Sequence, residues 1–252
     1  MQKAYKLLSA QLGISHKQAK NLIDLGRVRA HNKPLKLART LLPLTARFEV
    51  LECVESSILY QDDALLAICK SVGVDSYVLQ RDHAPYQLLH RLDKPTSGVL
   101  LLGCAPFYAR ALEAFKQRRV YKEYCALVEG IIHKGQTLRM PLRVQKSHAH
   151  VNKGFVKSVC DPKGKEAITH ITPLKHYPHY TLLKVVIETG VTHQIRAHLS
   201  AIKHPIVGDT LYGAKLNMYL FLHAKRVKLL GYDLQAPTPP YFDLGEDFEF
   251  LE

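Results

Sequence analysis

No apolar run in the 252 residues reaches the ~18 needed to cross a bilayer as a helix. The start, Met1-Gln2-Lys3-Ala4-Tyr5-Lys6, lacks the apolar core of a secretory signal. Membrane-spanning and secreted classes are set aside, and the expected address is the cytoplasm. Cysteine is scarce: Cys53, Cys69, Cys104, Cys125 and Cys160 are odd in number, widely spaced and form no CxxC pair. That pattern argues against a disulfide framework and against a zinc site. There is no glycine-rich phosphate-binding loop. His148 and His150 have no Cys or carboxylate at ligand spacing, and His193 and His198, five apart on a helix, would point about 140° apart. No metal and no cofactor are expected.

What the chain has in excess is positive charge. The formal net charge is +13 with 47% hydrophobic residues, so a full core is possible and a polyanionic partner is implied. Residues 1–50 hold ten Lys or Arg against Asp24 and Glu49 and so carry +8 of the excess. An anionic membrane surface would fit the charge, but no amphipathic helix rich in bulky apolar residues accompanies it. Nucleic acid fits better.

In that basic segment Ala4, Leu7, Leu8 and Leu12 recur at helical spacing, with Gly13 placed to end the helix. Ser15 and Gln18 form a capping box for a second helix with Ala19, Leu22 and Ile23 on one face and Gly26 as its C-cap. Arg27 to His31 alternates as a strand, Asn32 to Leu35 turns, and Phe48 to Val50 closes. The boundary falls near residue 55, giving domains 1–54 and 55–252.

In the larger part, Ile58 to Lys70 reads as two strands around an acidic turn. His90-Arg91-Leu92-Asp93-Lys94-Pro95-Thr96-Ser97-Gly98 then places ionisable groups and turn formers directly before the buried strand Val99-Leu100-Leu101-Leu102. A carboxylate there, flanked by cations and a rigid proline, suits a reactive site; a solvated loop ion pair is the alternative. Pro106 should open a helix buried along Ala109, Leu112 and Phe115. Val120 to Val128 alternates as a strand with Lys122 and Tyr124 on one face. Residues 131–165 are polar, basic and poor in periodicity, as in a crossing segment able to clamp a nucleic acid. Leu183, Val185 and Ile187 mark a strand stopping at Gly190, after which Thr192 should cap a helix sharing Ile195 and Leu199 and placing Arg196 near its start. Glu246, Asp247, Glu249 and Glu252 should form an exposed acidic edge or tail.

The loop His90-Arg91-Leu92-Asp93 with Thr96-Ser97-Gly98 resembles the signature of the RluA-type RNA pseudouridine synthases. A second stretch resembles another signature of the same family, in the expected order. It runs from Gly190-Val191-Thr192-His193-Gln194-Ile195-Arg196 through His204-Pro205-Ile206-Val207-Gly208-Asp209 to Leu211-Tyr212-Gly213. Lys122-x-Tyr124 and Leu222-His223-Ala224 resemble its shorter motifs, and Pro237 to Pro240 stand where it has a turn before a terminal strand. Two departures stand out: Lys70-Ser71-Val72-Gly73 lacks the usual proline, and Val191 stands where Arg is usual. The first fifty residues resemble the alpha-L RNA-binding domain, without its usual Gly after Asn32 and with Ala46-Arg47 in place of an acidic residue.

The resemblance implies an α+β fold: a mixed, mainly antiparallel central sheet flanked by helices, with a small N-terminal α+β RNA-binding domain. It assigns Asp93 as the essential catalytic residue, Arg196 as its buried partner and Tyr124 as the stacking face for the target uracil. Arg91 would help open the RNA, and His90, Leu92, Thr96, Lys122, His193, Gln194, Leu222 and His223 would contribute to substrate binding. The reaction implied is cofactor-free isomerisation of specific uridines in structured RNA, ribosomal RNA of the large subunit being favoured and transfer RNA possible, by a monomer with no membrane partner. The rival reading is a non-catalytic RNA-binding or ribosome-assembly factor on the same fold.

Overall fold

A computed structural model describes residues 1–24, 28–31, 33–35, 37–50, 55–146 and 156–245. The expected Gly26 cap, the Asn32 turn, His148, His150 and the acidic end lie outside them. The chain divides into two units, Met1–Val54 with Leu216–Tyr219, and Glu55–Lys215 with Leu220–Glu252.

In the first unit β1 (Gln2–Lys3) leads into α1 (Ala4–Leu12), and Gly13 ends that helix in the left-handed region at φ 65°. α2 (His16–Asp24) starts at a reciprocal capping box: the Ser15 amide donates to Gln18 Oε1 at 2.9 Å and the Gln18 amide to Ser15 Oγ at 3.2 Å. The strands β2 (Val28–Ala30), β3 (Lys33–Pro34), β4 (Leu41–Leu42) and β5 (Phe48–Val50) follow. β3, β2 and β5 form one small sheet, and β1 pairs β4. Ala4, Leu8, Ala19, Ile23, Val28 and Phe48 share one apolar core.

The second unit is built on a ten-stranded sheet. Its chain runs β6 (Ser57–Gln61), β7 (Leu65–Lys70), α3 (Ser76–Asp82), β8 (Gln87–Leu88), β9 (Ser97–Gly103), α4 (Phe107–Lys116) and β10 (Tyr121–Glu129). It continues through β11 (Gln136–Arg139), β12 (Leu142–Lys146), β13 (Val156–Cys160), β14 (Ile168–Tyr177), β15 (Tyr180–Ile187), α5 (Gln194–Ala201), β16 (Leu222–Leu229) and β17 (Tyr232–Gln235). The sheet order is β11-β14-β15-β10-β16-β9-β7-β6, with β17 added to β16 and β8 to β9. Every pairing is antiparallel except β9 with β16. This is an α+β fold on a mixed, mainly antiparallel sheet.

β9 is the central strand, and all seven of its residues are buried, which explains its continuous apolar run. On one face Val99 and Leu101 pack with Leu65, Ala67, Val227 and Leu229 against Phe107, Ala111 and Ala114 of α4. That corrects the helix phase expected from sequence, since Ala109 and Leu112 are exposed and Phe115 is half-buried. The stripe at 107, 111 and 114 uses two alanines, small enough to bring the helix close to the sheet, and so has little hydrophobic weight to announce it. Two further differences emerge. Residues 131–165 hold β11 and both strands of the β12–β13 pair, whose polar exposed positions hid the strand period. The residue preceding α5 is His193, at φ 54°, and not Thr192. β17 precedes the proline cluster, which leads into a short 3-10 turn at Pro240–Phe242; a terminal strand beyond residue 245 lies outside the described residues.

Candidate active site

The loop before β9 is fixed by backbone and buried polar bonds. The Thr96 amide donates to the Asp93 carbonyl at 2.9 Å, closing a turn over Lys94 and Pro95. Ser76 Oγ donates to the Leu92 carbonyl at 3.1 Å and accepts from the Leu92 amide at 3.2 Å. Lys70, with no exposed surface, sends its ammonium to the carbonyls of Ser71 (3.0 Å), Val74 (2.9 Å) and Lys94 (3.1 Å). Burial pulls Lys70 down to about 7, while the nearby charges of Asp93 and Asp75 oppose that fall. At the strand start Gly98 adopts φ +110°, and a Cβ there would lie 2.2 Å from the Ala224 carbonyl oxygen. Only glycine lets β9 and β16 approach so closely. The register pairs Ser97 with His223 and Gly98 with Ala224.

Asp93 emerges from this loop with its side chain 26% exposed. Arg196 Nη1 donates to its Oδ2 at 3.0 Å, and His193 Nε2 lies 3.5 Å from the same oxygen. Oδ1 is therefore the oxygen these contacts leave open. The guanidinium is itself held from behind: Nε and Nη2 donate to Asp209 Oδ2 and Oδ1 at 2.7 and 2.8 Å, a bidentate pair. Burial works against the charge on Arg196, but its bonds to Asp209 and Asp93 outweigh it and hold the guanidinium firmly protonated. The Tyr212 ring covers Arg196 at 5.1 Å, and its hydroxyl lies 3.2 Å from His193 Nδ1. The Ser158 amide donates to that hydroxyl at 2.8 Å, which ties β13 to the same cluster.

Asp93, His193 and Arg196 line a groove of about 1080 Å³. Asp93, Tyr124, Arg196, His90, Arg91, Leu92, Thr96, Lys122, His193, Gln194 and Leu222 all contribute to its wall; His223 does not. His223 is fully buried, and its Nδ1 is 2.9 Å from Ser97 Oγ, a contact that braces the β9–β16 pair. Gln194 lines the groove, but its amide is committed to the protein. It accepts from Thr189 Oγ1 (2.8 Å) and the Val191 amide (3.1 Å), and donates to the Ile168 carbonyl (2.9 Å) and Thr169 Oγ1 (3.0 Å). Burial, then the charge of Asp93, push the Tyr124 hydroxyl up, so it remains a neutral phenol. His90 is brought down to about 4 by burial and then by Lys122, and its Nε2 accepts from the Leu101 amide at 3.2 Å. Arg91 is exposed and rests against Tyr77, its guanidinium carbon 5.5 Å from the ring centre. Thr96 Oγ1 is buried without a hydrogen-bond partner among the described residues.

Sequence reasoning passed over three members of the cluster. Asp209 and Tyr212 stood inside a quoted motif without a role, and Lys70 ended an apolar strand, where a lysine is conspicuous. Val191, at the position where Arg is usual, is half-buried and lines the groove. Among the described residues no three His, Cys, Asp or Glu side chains gather as a metal site, and no helix is long and apolar enough to cross a membrane.

The groove thus holds a carboxylate gripped by a buried arginine, and the fold has solved counterparts. Human RNA Pseudouridylate Synthase Domain Containing 1 superposes with a TM-score of 0.63 at 25% identity over 74% of this chain and 84% of that one. Human RNA Pseudouridylate Synthase Domain Containing 4 gives 0.60 at 25% identity over 74% and 90%. The class is that of the pseudouridine synthases, which are isomerases. Residues 56–201 match the family described as RNA pseudouridylate synthase, and the chain belongs to that family. An uncharacterized RNA pseudouridine synthase of Helicobacter pylori is 46% identical over 97% of this chain and 100% of its own length. The ribosomal large subunit pseudouridine synthase D of Haemophilus influenzae is 32% identical over 67% of this chain and 56% of its own.

Proposed function

We propose that the chain isomerises specific uridines of structured RNA to pseudouridine, with large-subunit ribosomal RNA as its substrate and Asp93 as the essential chemical group. The observation that carries this is the half-exposed Asp93 carboxylate in the groove wall, gripped on one oxygen by Arg196 and open on the other. The ribosomal choice rests on relatives such as the Haemophilus influenzae enzyme. It is supported by the basic N-terminal segment, read as an alpha-L-type RNA-binding module over residues 1–54 in front of a catalytic domain over 55–252. The protein acts as a cytoplasmic monomer.

The reaction breaks the bond from ribose C1′ to uracil N1, the electron pair leaving with the base. The base turns, C5 joins C1′, the C5 proton departs and N1 takes up another, so nothing is consumed. Asp93 Oδ1 either attacks C1′ or removes a proton at C2′, and a carboxylate fixed beside the sugar serves both routes. Arg196 keeps that carboxylate in one orientation. Extruding a paired uridine costs a few kcal/mol; Arg91, exposed at the groove edge, fills the gap it leaves, and Tyr124 stacks on the base.

Replacing Asp93→Asn and measuring tritium release from RNA labelled at uracil C5 tests the chemistry; undiminished release rejects Asp93 as the catalyst. A modification map of RNA from wild-type and deletion strains tests the target. RNA binding with no pseudouridine made in any RNA would favour the rival assembly-factor reading.

A further inference from the structure

Once N1 leaves C1′ the uracil carries a negative charge shared between its ring nitrogen and carbonyl oxygens. The acid–base cluster at Asp93 is ill suited to receive it. Arg196 is divided between two carboxylates, Asp93 and Asp209, and the Lys70 ammonium is spent on three backbone carbonyls. Burial holds both His90 and His193 below the ordinary imidazole range, so neither supplies positive charge at neutral pH. Arg91, Lys94, Lys116 and Arg118 also line the groove but are exposed, where water screens them.

Lys122 differs from all of these. Its side chain lines the groove while the residue is only 8% exposed. It sits two residues before Tyr124 on the same buried face of β10. Its ammonium donates to the Thr189 carbonyl at 2.9 Å and makes no ion pair among the described residues. One of three donors is thus committed, and among the described residues the charge is paired with no carboxylate. Burial, then Arg118, lowers Lys122 to about 8, as expected of a desolvated and unneutralised amine.

We propose that Lys122 is the counter-charge for the detached uracil, donating a hydrogen bond to one of its carbonyl oxygens while the ring turns against Tyr124. This rests on the pseudouridine synthase reading above. The ammonium transfers no proton: it stabilises charge that exists only after the C1′–N1 bond begins to break and is withdrawn when C5 bonds to C1′. A fixed donor aimed at developing charge in a water-poor site acts on the rate far more than on binding.

The test compares Lys122→Gln, Lys122→Met and Lys122→Arg in single-turnover tritium release at saturating RNA, with RNA affinity and melting temperature measured alongside. Wild type and Asp93→Asn are run as controls. Gln keeps a neutral donor for the Thr189 carbonyl and loses the charge. The expected result is a rate about 10²-fold lower for both Gln and Met, with affinity within about threefold, and Arg recovering at least tenfold of the loss. The wild-type rate should also fall as pH rises past about 8, where the ammonium is lost, and the Arg variant should not follow it. Of the groups around Lys122, burial keeps His90 near 4, Glu166 holds Arg118 up, and burial holds Tyr124 up, so none of these accounts for a step there. A Gln variant at wild-type rate would assign Lys122 to bracing Thr189, and a loss confined to affinity would assign it to an RNA phosphate; either overturns the proposal. A wild-type enzyme that releases no tritium from any RNA would overturn the underlying reading as well, which the Asp93 control makes visible.

Discussion

Replacing Asp209→Ala should separate what the buried ion cluster does for the fold from what it does for the site. The Asp209 side chain is 1% exposed and that of Arg196 7%, and two charge-assisted bonds of 2.7 and 2.8 Å join them. Removing one partner of such a buried pair costs about 3–5 kcal/mol, because the remaining charge stays desolvated. Arg196 keeps Asp93, itself 26% exposed, and the face of Tyr212, so the lower part of that range is expected. This is a sizeable share of the roughly 5–15 kcal/mol by which domains are stable. The guanidinium should also swing toward Asp93, and a displacement of about 1 Å in a reacting group lowers turnover about 10²-fold. Urea unfolding gives the stability and tritium release the turnover. The double variant Asp209→Leu with Arg196→Met replaces the pair by apolar groups and should recover more than half of the lost stability with none of the activity. A loss below about 1 kcal/mol for Asp209→Ala would mean that water reaches the pair, and the account of Asp93 as a carboxylate oriented by a buried clamp would fall.

Three further outcomes follow from the same geometry. Tyr124→Phe should bind and turn over RNA nearly as wild type, because the ring is the stacking surface, whereas Tyr124→Ala should lose about 1–3 kcal/mol in kcat/KM; equal losses would point to the hydroxyl instead. Gly98→Ala should lower the melting temperature by many degrees, since its Cβ would lie 2.2 Å from the Ala224 carbonyl oxygen at φ +110°; a wild-type melt would refute that close approach. Lys70 is about 7 folded against an ordinary 10.5, so between these values the unfolded chain binds the extra proton and folding stability rises with pH. Relative to Lys70→Met, wild type should gain about 2 kcal/mol between pH 7 and 9 in urea unfolding; parallel pH curves for the two proteins would contradict the burial argument.

How much of this could be read from the chain depends on whether local pattern and local structure coincide. The Ser15–Gln18 capping box, the Gly13 helix end and the all-apolar β9 are short-range devices, and each stands where its residues imply. The α4 phase was misread because its buried stripe relies on Ala111 and Ala114, whose weight is in close packing and not in hydrophobicity. The β12–β13 hairpin escaped because Arg143 and Gln145 are exposed and Val144 is 38% exposed, leaving little alternation to detect. Eleven of the twelve residues named from motifs line the groove. The partners behind them were less visible. Asp209 acts through Arg196, and Lys70 through the carbonyl of Lys94, and long-range polar contacts of that kind leave no periodicity in a sequence.

That asymmetry bears on why the site needs so much of the fold. Asp93 belongs to the loop before β9, Arg196 to α5 and Asp209 to the turn after it, and the guanidinium bonds both carboxylates. Separated, each charge would be a desolvation penalty; joined, they set the loop against the helix with three bonds of 2.7 to 3.0 Å. The cluster therefore adds positional accuracy more than stability, which is what the role proposed for the Asp93 carboxylate requires. Because Arg196 is divided between two acids, it neutralises Asp93 only in part and leaves Oδ1 clear of the contacts on Oδ2. A lysine at 196 would keep a positive charge but could not present the same planar fork to Asp209 while reaching Asp93. Arg196→Lys should accordingly lose most of its turnover while retaining RNA affinity, and a lysine enzyme with wild-type kcat would show that charge alone, without the fork, is enough.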